Sequence, residues 1–394
     1  MSQQLISRSA DLKQLRDDGY DIEIRSGHLL VKSVPYVNSK REVRRGTLVT
    51  PLGDVSGDVT HQPSEHTAYF IGEHPCRADG SILEQIRHSS ATTALAKNIV
   101  VNHMFSAKPK PEGRYRDYYH KMTTYVALIS APARAIDPAV TAQTCAIVEP
   151  PDDDSPFNYL DSASTRAGIG AVTAKLEGKK IAIIGLGGTG SYILDLVAKT
   201  PVHEIHLYEG DALSNHNAFR SPGAPSLDEL KQRPLKAAYF RGQYSKMHRG
   251  IVAHEAYLDE SNVGDLRSMD FVFLCLDRGA DKQLIVERLE EWGLPFIDVG
   301  IGVDLVGDML RGIVRVTTST SEKRDHLRKR VPFSDGGVEN DYSRNIQIAD
   351  LNALNAALAV IKWKKLCGFY QDLEREHCSA YTINGNAMAN EDQA

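Results

Sequence analysis

The residues with the clearest chemical potential form one string in the second half of the chain. Gly185-Leu186-Gly187-Gly188-Thr189-Gly190 follows the apolar run Lys180-Ile181-Ala182-Ile183-Ile184 and precedes a helical pattern through Leu194 and Val197. Glycines at this spacing let backbone N–H groups approach a phosphate at the positive end of a helix dipole. Glu209, with Asp211 two residues on, closes the next apolar strand about 20 residues downstream, where a carboxylate can hold a ribose hydroxyl. Arg220 and Lys236 come next. A nicotinamide dinucleotide has no triphosphate to hold, whereas ATP does. A planar guanidinium beside a compact ammonium offsets the charge that builds on a leaving pyrophosphate. Asp277, just after Phe271-Val272-Phe273-Leu274, stands at the carboxyl edge of the sheet and is a candidate Mg²⁺ ligand. Taken singly, Arg220 and Lys236 also read as solvated charges and Asp277 as a helix cap.

Elements that could position these residues are legible around them. Lys180 to Ile184, Ile205 to Tyr208, Phe271 to Leu274 and Pro295 to Val299 are near-continuous apolar runs at helix-sized separations. Such runs are what a parallel sheet covered on both faces requires. Residues 348–363 read as a packed terminal helix. The expected fold of this half is therefore α/β, Rossmann-like, with a mostly parallel sheet and helices on both faces. The first half differs. Leu12 to Leu15 suggest a short helix, and strands are expected over Asp21 to Arg25, Leu29 to Val34, Gly46 to Val49 and Thr67 to Ile71, an α+β pattern. Between the halves, Glu149-Pro150-Pro151-Asp152-Asp153-Asp154-Ser155-Pro156 holds three prolines and four acids, which neither a helix nor a central strand accommodates. The expected division is a smaller domain over 1–149, a linker over 150–163 and a nucleotide-binding domain over 164–394.

Composition narrows the partners. Forty-six Lys and Arg against 51 Asp and Glu leave a net charge of −5 across 394 residues, so no basic field points to nucleic acid or an anionic membrane. No apolar run approaches the roughly 18–20 residues that span a bilayer, and a cytoplasmic protein is expected. Five cysteines, at 76, 145, 275, 367 and 378, form no CxxC pair, so neither a disulfide scaffold nor structural zinc is expected.

The ordered set Gly185/Gly187/Gly190, Glu209 or Asp211, Asn217 with Arg220, Lys236 and Asp277 resembles the ThiF/MoeB superfamily of adenylyltransferases, the adenylation domains of ubiquitin-activating enzymes, over about residues 166–369. Lys231 and Arg233 rival Lys236 for the lysine position. The resemblance implies ATP and Mg²⁺ as cofactors, catalytic roles for Asn217, Arg220, Lys236 and Asp277, and nucleotide contacts from Gly185, Gly187, Gly188, Gly190, Glu209 and Asp211. It also implies a homodimer in which Arg166 reaches the partner subunit's site. The implied activity is formation of an acyl-adenylate on the C-terminal carboxylate of a ubiquitin-like or sulfur-carrier protein, with an acceptor or conjugating partner downstream and residues 1–149 as a recruitment domain. Two other readings stay open: an NAD-type oxidoreductase with Glu209 on the ribose, and an interaction protein that senses ATP without turnover.

Many such relatives place a nucleophilic Cys in a crossover loop, here about 317–345, yet no cysteine lies between Cys275 and Cys367. The loop instead offers Thr317-Thr318-Ser319-Thr320-Ser321 and a basic run over 323–330, so a hydroxyl acceptor is a weaker alternative to stopping at the adenylate. Cys275 and Cys367 read as core, and Cys378, after His377, as a thiol in a mobile tail. In the first half, Cys76 beside His74 suggests a relay in the manner of a conjugating enzyme. Asn102 to Ser106 and Arg114 to Lys121 suggest an aromatic partner surface, against the plainer reading of an α+β core with satisfied histidines.

Overall fold

The structure, a computed structural model, describes residues 5–394 except 7, 54, 57–58, 110–112, 147–154, 160, 162, 165–168, 277–278 and 334–345. It divides into two compact units, Met1–Pro151 and Asp152–Ala394.

In the first unit, α1 (Ala10–Asp17) leads to the hairpin of β1 (Ile22–Arg25) and β2 (His28–Val37). Ser26 and Gly27 form its two-residue turn at φ 46° and 72°, the left-handed pair that matches strand twist. Then come β3 (Val43–Pro51), a short ladder of β4 (Val55–Ser56) with β5 (Val59–Thr60), β6 (Thr67–Ile71), β7 (Arg87–Ala96), β8 (Ile99–Ser106) and α2 (Tyr118–Ile136). The six-stranded sheet runs β1-β2-β3-β6-β8-β7, antiparallel throughout. Asp117 starts α2 by accepting from the His120 N–H at 2.7 Å. Tyr118, Met122, Tyr125, Val126 and Ile129 then fall on one buried face and join Tyr36, Phe70 and Phe105 in the core.

The four strands read from the sequence are present, but β7 and β8 were not anticipated, because the polar run of β7 is exposed along most of its length and carries no apolar alternation. For the aromatic segment the plainer reading, an α+β core, holds over a partner surface. Tyr115, Tyr118 and Phe105 are buried, and the Tyr115 and Tyr118 hydroxyls donate to the carbonyls of Ala107 and Pro51.

The second unit runs β9 (Lys180–Ile184), α3 (Gly188–Val197), β10 (Glu204–Tyr208), α4 (Asn215–Ala218), α5 (Leu227–Gln232), α6 (Lys236–Tyr244), β11 (Ile251–His254), β12 (Phe271–Leu274), α7 (Gly279–Glu291), β13 (Phe296–Val306), β14 (Met309–Ser319), α8 (Leu327–Arg330), α9 (Ala349–Leu366), β15 (Cys378–Thr382) and β16 (Ala387–Glu391). Its sheet order is β11-β10-β9-β12-β13-β14-β15-β16. The first five strands are parallel and the last three join antiparallel. Successive residues of β9 face opposite cores. Ile181 and Ile183 pack with α3, α6 and α9, including Trp363, while Ala182 and Ile184 pack with Ile285, Val286 and Leu289 of α7, with Trp292 at the margin. This is the α/β architecture expected from continuous apolar strands.

The antiparallel extension revises several sequence readings. Thr317, Thr318 and Ser319 are buried in β14, not displayed in a loop, and Cys378 is buried in β15, not in a tail. Among the described residues, no helix is long and apolar enough to cross a membrane.

Candidate functional site

At the carboxyl ends of the parallel strands lies a cavity of about 1120 Å³, the location at which open α/β sheets bind ligands. Its floor is the turn from β9 into α3. Gly185 turns the chain at φ +88°, where a Cβ would also come within 2.7 Å of the Cys275 carbonyl oxygen. A Cβ on Gly190 would stand 1.9 Å from the Gly185 carbonyl oxygen, and one on Gly188 would strike the Asn352 side chain at 2.1 Å. Gly187 meets nothing within 4 Å. Three glycines thus close the turn against its own backbone and α9, and the fourth leaves room over the helix N-terminus for a ligand. Asn352 of α9 pins this floor, accepting from Thr189 Oγ1 at 2.9 Å.

Glu209, at the end of β10, is buried. Its Oε2 accepts from the Leu186 N–H and its Oε1 from the Asp211 N–H, both at 2.9 Å, so this carboxylate braces the glycine turn against the next strand. Lys236 is delivered by backbone pairing between the segments that follow β10 and precede α6. Leu213 N–H donates to Pro234 O at 2.7 Å, and Lys236 N–H to Asp211 O at 2.9 Å. The buried Lys236 ammonium donates to Asp211 Oδ2 at 2.8 Å and stands 3.5 Å from Glu209 Oε2. Asp211 also accepts from the Tyr257 hydroxyl. This buried cation keeps two carboxylates within reach, which offsets its desolvation.

Asn217 sits one turn ahead of Arg220. Its Oδ1 accepts from the Ser214 N–H at 2.8 Å, which caps α4, and its buried Nδ2 has no partner among the described residues. Burial first, then the charges of Arg220 and Lys236, hold the neighbouring His216 imidazole below its ordinary pKa, so it is neutral at pH 7 and adds no cation.

The structure therefore brings Gly185, Gly187, Gly188, Glu209, Asp211, Arg220 and Lys236 to one cavity wall. Gly190 and Asn217 do not line it. Lys231 and Arg233, the sequence rivals of Lys236, do not line it either. Asp277 and Arg166 lie outside the described residues. One group escaped the sequence reading. Asp298 in β13, fully buried, pairs with Lys282 Nζ of α7 at 2.8 Å and with Arg315 Nη2 of β14 at 2.9 Å. Both cations line the cavity.

Residues 164–323 match the ThiF family model. That stretch of the second unit is similar to the ThiF family, and it includes the glycine turn, Arg220 and Lys236. Residues 10–162 match a domain of unknown function, DUF6791. No curated protein sequence matches the chain. Among solved structures, E. coli MccB with MccA-N7isoASN is similar at 18% identity over 57% of this chain and 66% of that one, with a TM-score of 0.46. E. coli MccB with ATP gives 20%, 57%, 66% and 0.44, and PaaA gives 16%, 56%, 66% and 0.43. The chain spans just under two thirds of each of those proteins.

Cys275 and Cys367 pack against the core, as expected, whereas Cys76 and Cys378 are placed differently from expectation. Burial pushes the Cys275 thiol well above its ordinary pKa, helped by the Asp298 charge. Cys76 is buried, donates to the His74 carbonyl oxygen at 3.3 Å and is likewise raised by burial, which argues against a relay. Burial raises Cys378 as well. Its Sγ lies near the carboxylates of Glu391 and Asp392, but the Arg330 guanidinium already bridges those two at 2.5 and 2.9 Å. Cys145 is exposed and Cys367 half-buried.

Proposed function

We propose that this protein is an ATP-dependent adenylyltransferase that activates the C-terminal carboxylate of a ubiquitin-like or sulfur-carrier protein. The observation that carries the reading is the convergence of Arg220 and Lys236 on a cavity floored by the glycine turn, in a ThiF-family unit. A terminal carboxylate has a pKa of about 3.5, so it is ionised at pH 7 and attacks the α-phosphate without a general base. The carboxylate oxygen–phosphorus bond forms, the bond to the β-phosphate oxygen breaks, and pyrophosphate leaves with the electron pair. What remains for the chain is to orient the reactants and neutralise charge. The glycine turn supplies N–H groups to phosphate oxygens, and Arg220 and Lys236 face the charge that develops on pyrophosphate. Glu209 braces the turn and, with Asp211, lies within reach of the ribose side.

On this reading Asn217 supports the Arg220 turn, Asp277 holds Mg²⁺, and Arg166 enters the partner's site in a homodimer. Residues 1–149 recruit the carrier or its acceptor, and the protein works in the cytoplasm. With the Cys76 and Cys378 thiols buried and Thr317, Thr318 and Ser319 inside the sheet, the acyl group passes from the adenylate to an acceptor on another molecule.

The test is thermal stabilisation by Mg·ATP against NAD, since a ligand that binds the native state raises the melting temperature by mass action. Mg·ATP stabilises the wild type, NAD does not, and Lys236→Ala and Asp277→Ala each lose the effect. Stabilisation by NAD alone overturns the reading in favour of an oxidoreductase. Stabilisation by Mg·ATP with no ATP:pyrophosphate exchange in the presence of any carrier protein would leave a nucleotide sensor.

A further inference from the structure

The Lys282–Asp298–Arg315 cluster has no part in the chemistry described so far, yet its two cations line the same cavity. Its composition is unusual for a buried position: one carboxylate with no exposure, a lysine whose side chain is 4% exposed and an arginine whose side chain is 26% exposed. Two cations against one anion leave an excess positive charge, and removing that charge from water is costly unless a further anion arrives. Register explains how the cluster assembles. Asp298 and Gly300 lie on the same face of β13, and Gly300 pairs directly with Arg315 of β14. A Cβ on Gly300 would come within 2.9 Å of the guanidinium, so this glycine makes room for Arg315 to lie across the strand. Asn355 of α9 fixes the Gly300 carbonyl oxygen from behind at 3.1 Å. The Arg315 Nε is buried with no hydrogen-bond partner among the described residues.

The position of the cluster relative to the glycine turn decides what it can meet. The sheet order places β10 on one side of β9 and β12, β13 and β14 on the other. Lys236 and Arg220 follow β10, whereas Asp298 and Arg315 stand two and three strands from β9 on its far side, about 10–15 Å at the usual strand spacing. In-line displacement at phosphorus sets the attacking and leaving oxygens on opposite sides. With the leaving pyrophosphate facing Arg220 and Lys236, the attacking group enters from the β13–β14 side. Attack by a carboxylate on a phosphate brings two anions together, and a cation on the entry side offsets that repulsion.

We propose that Arg315, oriented by Asp298 and backed by Lys282, receives the terminal carboxylate of the acyl donor and holds it against the α-phosphate. This assignment rests on the adenylation reading above. The oxygen that does not attack becomes the acyl carbonyl oxygen of the product and stays within reach of the guanidinium. Arg315 is thus a substrate-contacting residue and Asp298 a positioning residue.

The test compares two probes, AMP and N-acetylglycyl sulfamoyladenosine, a non-hydrolysable mimic of the acyl-adenylate in which a sulfamoyl group stands for the phosphate and carries the acyl end. Because that replacement is common to every variant, the change in the ratio of affinities between variants reads the acyl end. Affinities are measured by calorimetry on the full chain. The wild type binds the acyl mimic more tightly than AMP. In Arg315→Gln that advantage shrinks at least tenfold while AMP affinity stays within twofold of wild type, and Arg315→Lys recovers part of it. Asp298→Asn moves in the same direction. Because it strips the buried cations of their anion and is the variant prone to misfolding, Arg315→Gln, at a partly exposed position, carries the decision. Equal losses for both probes would assign the cluster to the nucleotide or to the fold, and no change in either would make it purely structural; either result overturns the proposal. A wild type that binds neither probe, nor ATP, would instead bring down the adenylation reading itself.

Discussion

Two stretches of this chain hold reactive residue types and end in opposite environments, and the denser of the two becomes packing. Arg114 to Lys121 in the first unit is crowded with Tyr, Arg and His, yet Tyr115 and Tyr118 are core residues and Lys121 is buried against Thr50 Oγ1 and the Glu65 carbonyl oxygen at 2.8 and 2.9 Å. Gly185 to Lys236 in the second unit is no richer in such groups, but its backbone turns at Gly185, pairs across residues 211–213 and 234–236, and leaves a void on which the side chains converge. Reactive residue types acquire chemistry where secondary structure stops and space remains. Where a regular helix continues, the same types become packing.

That contrast can be broken most forcefully at Gly190. Valine there would place its Cβ against backbone that cannot move aside, and urea unfolding should show a loss of about 4 kcal/mol or more, together with loss of Mg·ATP stabilisation. Tyr125→Ala in the first unit should cost about 3–4 kcal/mol through its cavity and leave nucleotide affinity unchanged; a matching fall in affinity would erase the distinction between the two units.

The next effects depend on pH and run in different windows. Burial lowers His248 to about 4, and the ring is held neutral between Val202 O and the Gly250 N–H at 3.0 and 3.1 Å. The unfolded chain binds this proton near pH 6.5, so the second unit keeps its full stability above that pH and loses on the order of 3 kcal/mol as the pH falls toward 4. His248→Gln should flatten the slope. Burial lowers Lys121 to about 8. Between pH 8 and the unfolded value near 10.5 the unfolded chain holds more protons, so the first unit gains stability as pH rises through that window. Lys121→Met should remove the gain. Smallest of all is Gly187→Ala. At φ −70° with open space around it, unfolding should shift by less than about 0.5 kcal/mol.

Much of the second unit was legible because its signals are local. An apolar strand, a glycine turn and a helix lie within 20 residues, and Arg220 and Lys236 keep their order in the chain. Asp298 and Arg315 were not legible, because their meeting depends on antiparallel register between β13 and β14. In sequence, Asp298 is one acid in an apolar strand and Arg315 one cation in the next. Strands β14 to β16 escaped for the same reason. In the first unit, β7 hid because both its faces are polar and exposed, and in the aromatic segment composition leaves partner surface and core both open, whereas the helical spacing over residues 118–133 marks the buried face that the structure shows.

Both tryptophans of the sequence, Trp292 and Trp363, belong to the second unit. Trp363 is enclosed on α9 with Phe273 at 6.1 Å between ring centroids, and Trp292 lies under the Arg267 guanidinium at the end of α7. Light that excites indole alone therefore watches one half of the molecule and is blind to the other. Emission follows the acid-sensitive unit that carries the cavity, far-ultraviolet dichroism follows both, and the difference between the two signals isolates the alkaline response of the first unit without cutting the chain.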